Sequence, residues 1–498
     1  MTESSGGKAG KRSIRGEVSA SLDFIFFSIF SYIIFVSLFG RKFVAPFAVP
    51  TVGNSTTDHD RPFVDYGSST ATVLFILLIA IALGRVSEWA TGLSLLGMLL
   101  AGISLSNLPL SSSPLSVPME WSSVLRKAAF VVILLRGGLS LDGEALKKMK
   151  GACLRLAFFP CTVEALVVAL TAKLLFGVSI LFGLMLGFVL AAVSPAVVVP
   201  SMIRIAQDGY GSGVSSLVVA AASLDDVYAI TLFSLCFSIL FSTGDSIVFT
   251  IIRAPLEVIG GCVLGGIIGY MNRYTLRGTR LLLFLSSAMA MFFGCARLSI
   301  DSAGALSVLV SAFVAAGHWR QNGEVAEMET SLKTLWELFF QPLLFGLIGF
   351  ELTFSLLSWR LVLLGLLVLV IGVAARTAVA FLAVMGSGMT SRERLFVALA
   401  WIPKATVQAA LAPVALEMTR RGEYGKDYEE GALIVFSLAV LSILTTAPIG
   451  AAVIRITAPL LLKKDTVEES KSTVEMRTGS TVEDGEEMET LKSNGSLP

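Results

Sequence analysis

Two adjacent carboxylates, Asp225 and Asp226, stand in the stretch AAASLDDVY inside an apolar run over 212–241. An ionisable side chain at mid-membrane costs at least about 2.5–3.5 kcal/mol on insertion scales, so such a residue is functional by default. Asp226 falls roughly 21 Å from the 212 end of the run at the rise of an α-helix. Successive helix positions turn by about 100°, so the two acids point in different directions. One can face a cavity while the other meets a cation on a neighbouring helix. Glu164, Arg376 and Lys404 are further charges inside apolar runs. Glu164 and Arg376 reach matching depth, which permits an ion pair and would lower the cost of burying both. Lys404 lies roughly 18 Å in and is the expected partner of Asp225.

Carboxylates, hydroxyls and freed backbone carbonyls make a hard oxygen site suited to a small alkali cation. Ser194, Ser223 and Thr406 lie beside these charges and are expected as supporting ligands. A buried carboxylate holds a proton or a cation, not both. Competition for one carboxylate, with alternating access, is the simplest exchange mechanism. Arg376 cannot give up a proton. If Asp226 alone switches, one cation swaps for one proton and exchange is electroneutral. If Lys404 or Asp225 also releases a proton, exchange is electrogenic. The fixed Arg376 favours the first case.

The elements that hold these residues are membrane helices. Of 498 residues, 54 % are hydrophobic and 15 % charged, with mean hydropathy +0.79. A soluble chain carries about 25 % charged residues, so an ordinary cytosolic enzyme is excluded, as are a disordered chain and a disulfide scaffold. Lys plus Arg number 38 against 37 Asp plus Glu, and no basic excess exists to hold a nucleic acid. The five cysteines sit in apolar segments without a CxxC pair and read as small buried hydrophobes. His59 and His318 are too isolated for a zinc site. Apolar segments lie at 24–39, 70–84, 90–105, 122–141, 151–177, 179–205, 212–241, 247–270, 279–296, 301–319, 331–354, 359–384, 392–418 and 430–457. They predict an all-α polytopic membrane protein of about 14 transmembrane helices.

Two of these segments are expected to break. LAAVSPAVVVPSM carries Pro195 and Pro200, and LAWIPKATVQAALAP carries Pro403 and Pro413. Proline inside a helix removes a backbone hydrogen bond and clashes with the preceding turn. In lipid such a break survives only where it is buried in protein or lines a water-filled cavity. The spans of 151–241 and 359–457 share one layout: an outer helix, a proline-broken helix and a third helix. They enter the membrane from opposite sides and so read as inverted repeats, in which paired broken segments point to a transporter's binding site.

With the N-terminus inside, inner loops hold Lys147, Lys148, Lys150, Arg273, Arg277, Arg280, Arg392, Arg394, Lys463 and Lys464. Outer loops at 106–120 and 242–247 hold no Lys or Arg, as the positive-inside rule requires. Arg420, Arg421 and Lys426 run against the rule, among acidic neighbours. An even span number puts both termini in the cytosol and the sequon Asn54-Ser55-Thr56 outside. The first apolar segment is expected as a retained helix rather than a signal peptide. The charged tail 463–498 is expected to be disordered. No retention signal closes the tail, which leaves plasma membrane and endomembrane both open.

Four stretches carry a resemblance to a known family: AAVSPAVVVPSM, ASLDDV, AARTAVAF with Arg376, and WIPKATVQAAL with Lys404. Over about 70–457 the chain resembles the monovalent cation/proton antiporter superfamily, most closely its NHA branch of sodium/hydrogen exchangers. The resemblance implies two broken helices that cross at mid-membrane and an elevator-like movement of a core domain within a homodimer. It implies transport of Na⁺ or Li⁺ against H⁺ in the lipid bilayer, with no cofactor beyond the transported ions. Asp226 would carry cation and proton by turns, with Asp225 in support and Glu164–Arg376 as a core salt bridge. Under that division 1–21 is a cytosolic segment and 22–141 holds N-terminal helices and part of the dimerisation domain. The core is built from 151–241 and 359–457, with linking and dimerisation helices over 247–354. Electrogenic relatives carry a lysine where this chain has Arg376, a departure that supports electroneutral exchange.

An organic-anion or solute symporter on a similar inverted-repeat fold is the competing reading. It would favour a positively dominated core, whereas the central helix here supplies two acids. A channel would show selectivity-filter loops, and a receptor would not need two broken helices flanking an acidic pair.

Overall fold

The computed structural model describes residues 26–27, 29–31, 33–34, 66–107, 117–141, 150–241, 247–298, 300–353, 358–421 and 424–464. The segment 1–21, most of the expected first span, the sequon at Asn54, Lys147 and Lys148, the loop at 242–246 and the tail beyond 464 lie outside them.

Most of the described residues are helical. In order, α1 covers Tyr66–Thr91, α2 Ser94–Asn107, α3 Met119–Ser140, α4 Lys150–Phe176, α5 Ile180–Ala191, α6 Pro195–Gln207, α7 Ser212–Leu240 and α8 Ile247–Asn272. There follow α9 Arg280–Arg297, α10 Asp301–Gln321, α11 Val325–Leu335, α12 Gln341–Glu351, α13 Trp359–Ala383, α14 Ser391–Ala400, α15 Thr406–Arg421 and α16 Lys426–Leu461. A π-turn, Trp336–Phe340, joins α11 to α12, just ahead of Pro342, which has no N–H to continue an α-helical ladder. Among the described residues, eight helical stretches are long and apolar enough to cross a membrane. They are α1, α4, α5 with α6, α7, α8, α9, α13 and α16. The remaining expected segments form α2, α3, α10, α11 with α12, and α14 with α15, each shorter, interrupted or more polar.

Apolar residues that face outward recur at helical spacing. Leu166, Leu170 and Leu174 on α4 are exposed, as are Leu363, Leu367 and Val370 on α13. Such a stripe on the outside of the bundle suits acyl chains rather than water. Helices in lipid associate through close packing of small residues. On α8, a Cβ added at Gly261, Gly265 or Gly269 would sit 2.8, 2.4 or 2.6 Å from the carbonyl oxygens of Ala303, Ser307 and Ser311 on α10. The constant offset makes α8 and α10 a parallel pair in close contact. Gly183 and Gly187 on α5 meet Ala169 and Ala165 on α4 in the same way, in the reversed order of a hairpin.

The two repeats are inverted. Arg155 near the start of α4 donates to the carbonyls of Ala383 and Met385, at and beyond the end of α13, at 3.0 and 2.9 Å. Glu164 meets Arg376, and Val168 meets Gly372. Residue numbers rise on one helix as they fall on the other, so α4 and α13 run antiparallel.

Outside the spans, Glu324 ties two turns together. It accepts from Arg277 Nε at 2.9 Å and from Arg280 Nη1 at 2.7 Å. Partial burial pushes its carboxyl up, but the bonds and charges of Arg280 and Arg277 together outweigh this and hold it below its ordinary value.

Candidate cation site at the crossing of two broken helices

Each repeat interrupts its second helix. α5 stops at Ala191 and α6 begins at Pro195, with Ala192, Val193 and Ser194 between them in non-helical conformation. Proline at the first helical position loses nothing, because that N–H has no helical partner in any case. α14 starts on a capping box, in which Thr390 and Glu393 satisfy each other's backbone N–H groups, and ends at Ala400. Residues Trp401 to Ala405 are unwound before α15 begins at Thr406. Pro403 stands in that stretch and disfavours helical geometry at Ile402.

Pro200 and Pro413, expected as breaks, lie inside α6 and α15 instead. Each removes one backbone donor from a helix that continues through it. The interruptions belong to Pro195 and Pro403.

A broken helix leaves carbonyls at one end and N–H groups at the other without helical partners. Here each break supplies the other. Ser194 N–H donates to Pro403 O at 2.8 Å. Gln408 Nε2 on α15 donates to Val189 O and Ala192 O, both at 2.8 Å, and Lys404 Nζ donates to Leu190 O. Lys404 N–H is received by Thr446 Oγ1 on α16 at 3.2 Å. Gly450 on α16 gives Pro403 room, since a Cβ there would lie 2.5 Å from the proline ring. The crossing sits where two apolar clusters meet. Ala192 and Ala405 belong to one, and Val193 and Trp401 to the other.

Four charges gather around this crossing, each at most 1 % exposed. Arg376 Nη1 donates to Glu164 Oε2 at 2.8 Å, and Arg376 Nη2 to Asp225 Oδ2 at 3.1 Å. Arg376 Nε reaches Trp401 O at 3.0 Å. Lys404 Nζ binds Glu164 Oε1 at 2.7 Å. Lys404 therefore pairs with Glu164 rather than with Asp225, its expected partner. Depth alone suggested that expectation, but Arg376 and the N–H of Val193, at 2.8 Å, already hold Asp225 Oδ2.

Counted at formal charge, Arg376 and Lys404 cancel Glu164 and Asp225. Asp226 is the surplus. It is 5 % exposed, and its Oδ1 has no hydrogen-bond partner. Ser194 Oγ and Thr406 Oγ1 are likewise buried without partners, and both border the breaks. Ser223 Oγ instead bonds within its own helix, to Val219 O at 3.4 Å. A cavity of about 10 Å³, lined by Leu134, Val227, Ile230, Thr231, Ala305 and Leu306, lies between α7, α3 and α10.

Two features escape a reading of the sequence alone. Arg126 on α3 is 2 % exposed and pairs with Glu351 at the end of α12 and with Glu417 on α15. Ser122 Oγ also donates to Glu351, at 2.9 Å. The only sequence signal is a cation a few residues inside an apolar segment, which ordinarily reads as a snorkelling side chain. Gln408 gives a fainter signal, a neutral amide in the apolar first half of α15.

The sequence and the fold are both similar to those of known proteins. Residues 110–458 match a family described as sodium/hydrogen exchanger, transmembrane. Sodium/hydrogen exchanger 9B2 of Xenopus tropicalis is 42 % identical over 407 residues, covering 78 % of this chain and 75 % of that protein. The 9B2 exchanger of Homo sapiens is 43 % identical over 382 residues, covering 74 % and 70 %. Sodium/hydrogen exchanger 9B1 of Homo sapiens is 38 % identical over 385 residues, covering 74 % and 72 %. The structure of the sodium proton antiporter MjNhaP1 from Methanocaldococcus jannaschii at pH 8 superposes with a TM-score of 0.67 at 19 % identity, over 79 % of this chain and 98 % of that one. At that identity the likeness speaks for the fold alone.

Proposed function

The chain belongs to the sodium/hydrogen exchanger family, and on that premise we propose that it swaps one Na⁺ or Li⁺ for one H⁺, both competing for Asp226. It is a multi-pass membrane transporter and not an enzyme. The observation that carries the proposal is the charge count. Two buried bases are matched by two buried acids, and one further carboxylate, Asp226, is left over. An uncompensated charge at that depth is costly, and a monovalent cation or a proton removes it equally well. Each occupant excludes the other.

Asp225 plays a supporting part. It anchors α7 to Arg376 and to the first break, so Asp226 is presented from a fixed helix. Ser194 and Thr406 offer unpartnered hydroxyl oxygens to a desolvated cation. Arg376 cannot lose its proton, and Lys404 is held by Glu164 and the carbonyl of Leu190. With Asp226 as the single switching group, exchange is electroneutral.

The core that moves is α4 to α7 with α13 to α16, and α1 to α3 with α8 to α12 form the frame it slides against. An elevator movement of that core, in a homodimer, alternates access to Asp226. Both termini face the cytosol, and the membrane is the plasma membrane or an endomembrane.

Purified protein in liposomes tests this reading. An imposed pH gradient drives Na⁺ or Li⁺ uptake, and clamping the membrane potential leaves the rate unchanged. Uptake that follows the potential overturns electroneutrality. A proton flux indifferent to added Na⁺ and Li⁺ overturns the exchange itself.

A further inference from the structure

The amide of Gln408 lies in the first turn of α15 and is fully buried. Both hydrogens of its Nε2 are used, one on Val189 O and one on Ala192 O, each at 2.8 Å. These carbonyls lie at the end of α5, where the break removes the helical donors. Ala192 O belongs to the same peptide unit as the N–H of Val193, which donates to Asp225 Oδ2 at 2.8 Å. A planar trans peptide directs its C=O and N–H to opposite sides. Gln408 and Asp225 therefore grip one peptide plane from its two edges. The chain of bonds continues from Asp225 Oδ2 to Arg376 at 3.1 Å and from Arg376 to Glu164 at 2.8 Å.

We propose that Gln408 is a positioning residue for cation exchange, fixing the Ala192–Val193 peptide and, through it, the Asp225 carboxylate and the facing of α7 that aims Asp226. This rests on the exchange reading above. If the peptide rotates, the bonds to Gln408 and to Asp225 are lost together, because one plane carries both. Asp225 would then be held by Arg376 alone, and α7 would lose its hydrogen bond to the first break. Such linked bonds also strengthen one another in a low-dielectric interior.

Two replacements separate positioning from simple packing. Gln408→Met keeps length and apolar bulk but has no donor. Gln408→Glu keeps the shape and, when protonated, one O–H that can donate to a carbonyl. When ionised it offers only acceptors to Val189 O and Ala192 O. The charged groups of the crossing are Glu164 from α4, Asp225 from α7, Arg376 from α13 and Lys404 from the second break, with Asp226 next to Asp225 on α7.

The measurement is the half-saturating Na⁺ concentration for exchange in liposomes across a pH series, each variant divided by wild type at the same pH. Gln408→Met should raise it about five- to tenfold at every pH, roughly the effect of losing one or two net hydrogen bonds. Gln408→Glu, with one donor in place of two, should fall between wild type and Gln408→Met at the acid end and reach or exceed the Gln408→Met value at the alkaline end. Wild-type half-saturation in both variants at every pH overturns the proposal. So does a loss of thermal stability with half-saturation unchanged, which would leave Gln408 as a helix cap only. If Gln408→Met does not fold, the pH dependence of Gln408→Glu decides alone, and a flat ratio counts against positioning. Failure of the wild type to exchange sinks the exchange reading itself, a result distinct from either variant's.

Discussion

Arg376 Nη1 lies 2.8 Å from Glu164 Oε2, and the two residues come from the first helices of oppositely oriented repeats. The same guanidinium spends its other donors on Asp225 and on Trp401 O in the second break. One planar group thus joins α4, α7, α13 and the unwound stretch. Arginine suits the position because its donors form a rigid fork, which an ammonium lacks.

Removing Arg376 strands Glu164 and Asp225 in the protein interior. Breaking a buried pair from one side typically costs about 3–5 kcal/mol. Arg376→Ala should lower the melting temperature of the detergent-solubilised protein markedly, and Arg376→Lys should recover only part of the loss. An unchanged melting curve for Arg376→Ala would show that the three bonds do not stabilise the core.

Asp225 and Asp226 should behave differently although they are neighbours. Asp226→Asn removes the surplus charge and should abolish exchange while leaving the fold at least as stable as wild type. Asp225→Asn removes a charge that compensates Arg376 and should reduce stability as well as transport. Full exchange by Asp226→Asn, or equal melting shifts in the two variants, would undo the assignment.

Charge is easy to see in an apolar sequence, which is why Asp225, Asp226, Glu164, Arg376 and Lys404 stand out before any coordinates. Their pairing is harder. Depth along the membrane normal follows from counting residues, but the direction a side chain takes around its helix also depends on how that helix is rotated against its neighbours. Lys404 stands in the unwound stretch, where no helical period fixes its direction, and it meets Glu164 while Arg376 and the N–H of Val193 occupy Asp225 Oδ2. Proline is an ambiguous signal as well. Pro195 and Pro403 lie at the interruptions, while α6 and α15 run straight through Pro200 and Pro413. Whether a proline ends a helix depends on whether other groups take up the freed backbone, as Gln408, Lys404 and Pro403 do here. None of those tertiary partners can be read from local sequence.

The α8–α10 contact depends on three glycines that have no side chain to spare. A Cβ at Gly265 would lie 2.4 Å from Ser307 O, which is backbone and cannot swing aside. Gly265→Val should force the helices apart and cost about 1–3 kcal/mol, the usual penalty for overpacking. Gly266, one position on, has open space around it, and Gly266→Val should be close to neutral. Equal melting temperatures for the two variants would mean that the contact can relax without cost.

Arg126 joins α3 to α12 and α15 through Glu351 and Glu417. Arg126→Ala leaves two half-buried acids facing one another without their cation, for a loss of about 1–3 kcal/mol. Replacing the acids as well, in Arg126→Ala with Glu351→Gln and Glu417→Gln, should return much of that stability, because no unpaired charge remains. If the triple variant melts no higher than Arg126→Ala, the loss comes from packing around the arginine and not from its charge.

Glu324 gives a prediction with a definite sign. Arg280 and Arg277 hold its carboxyl below the ordinary value despite the opposing effect of partial burial. A carboxylate whose folded value is depressed contributes stability that is fully present above its unfolded value, about 4.3, and is lost as pH falls through the folded value. Glu324→Gln cannot ionise and lacks this contribution at every pH. The gap in melting temperature between wild type and Glu324→Gln should therefore be constant near neutrality and should narrow as pH drops below about 4. Raising salt should narrow it too, since Arg277 is 65 % exposed and exposed charges are screened. A gap that stays the same from neutral to strongly acid pH would mean that the two arginines stabilise this turn through packing and neutral hydrogen bonds rather than through the carboxylate's charge.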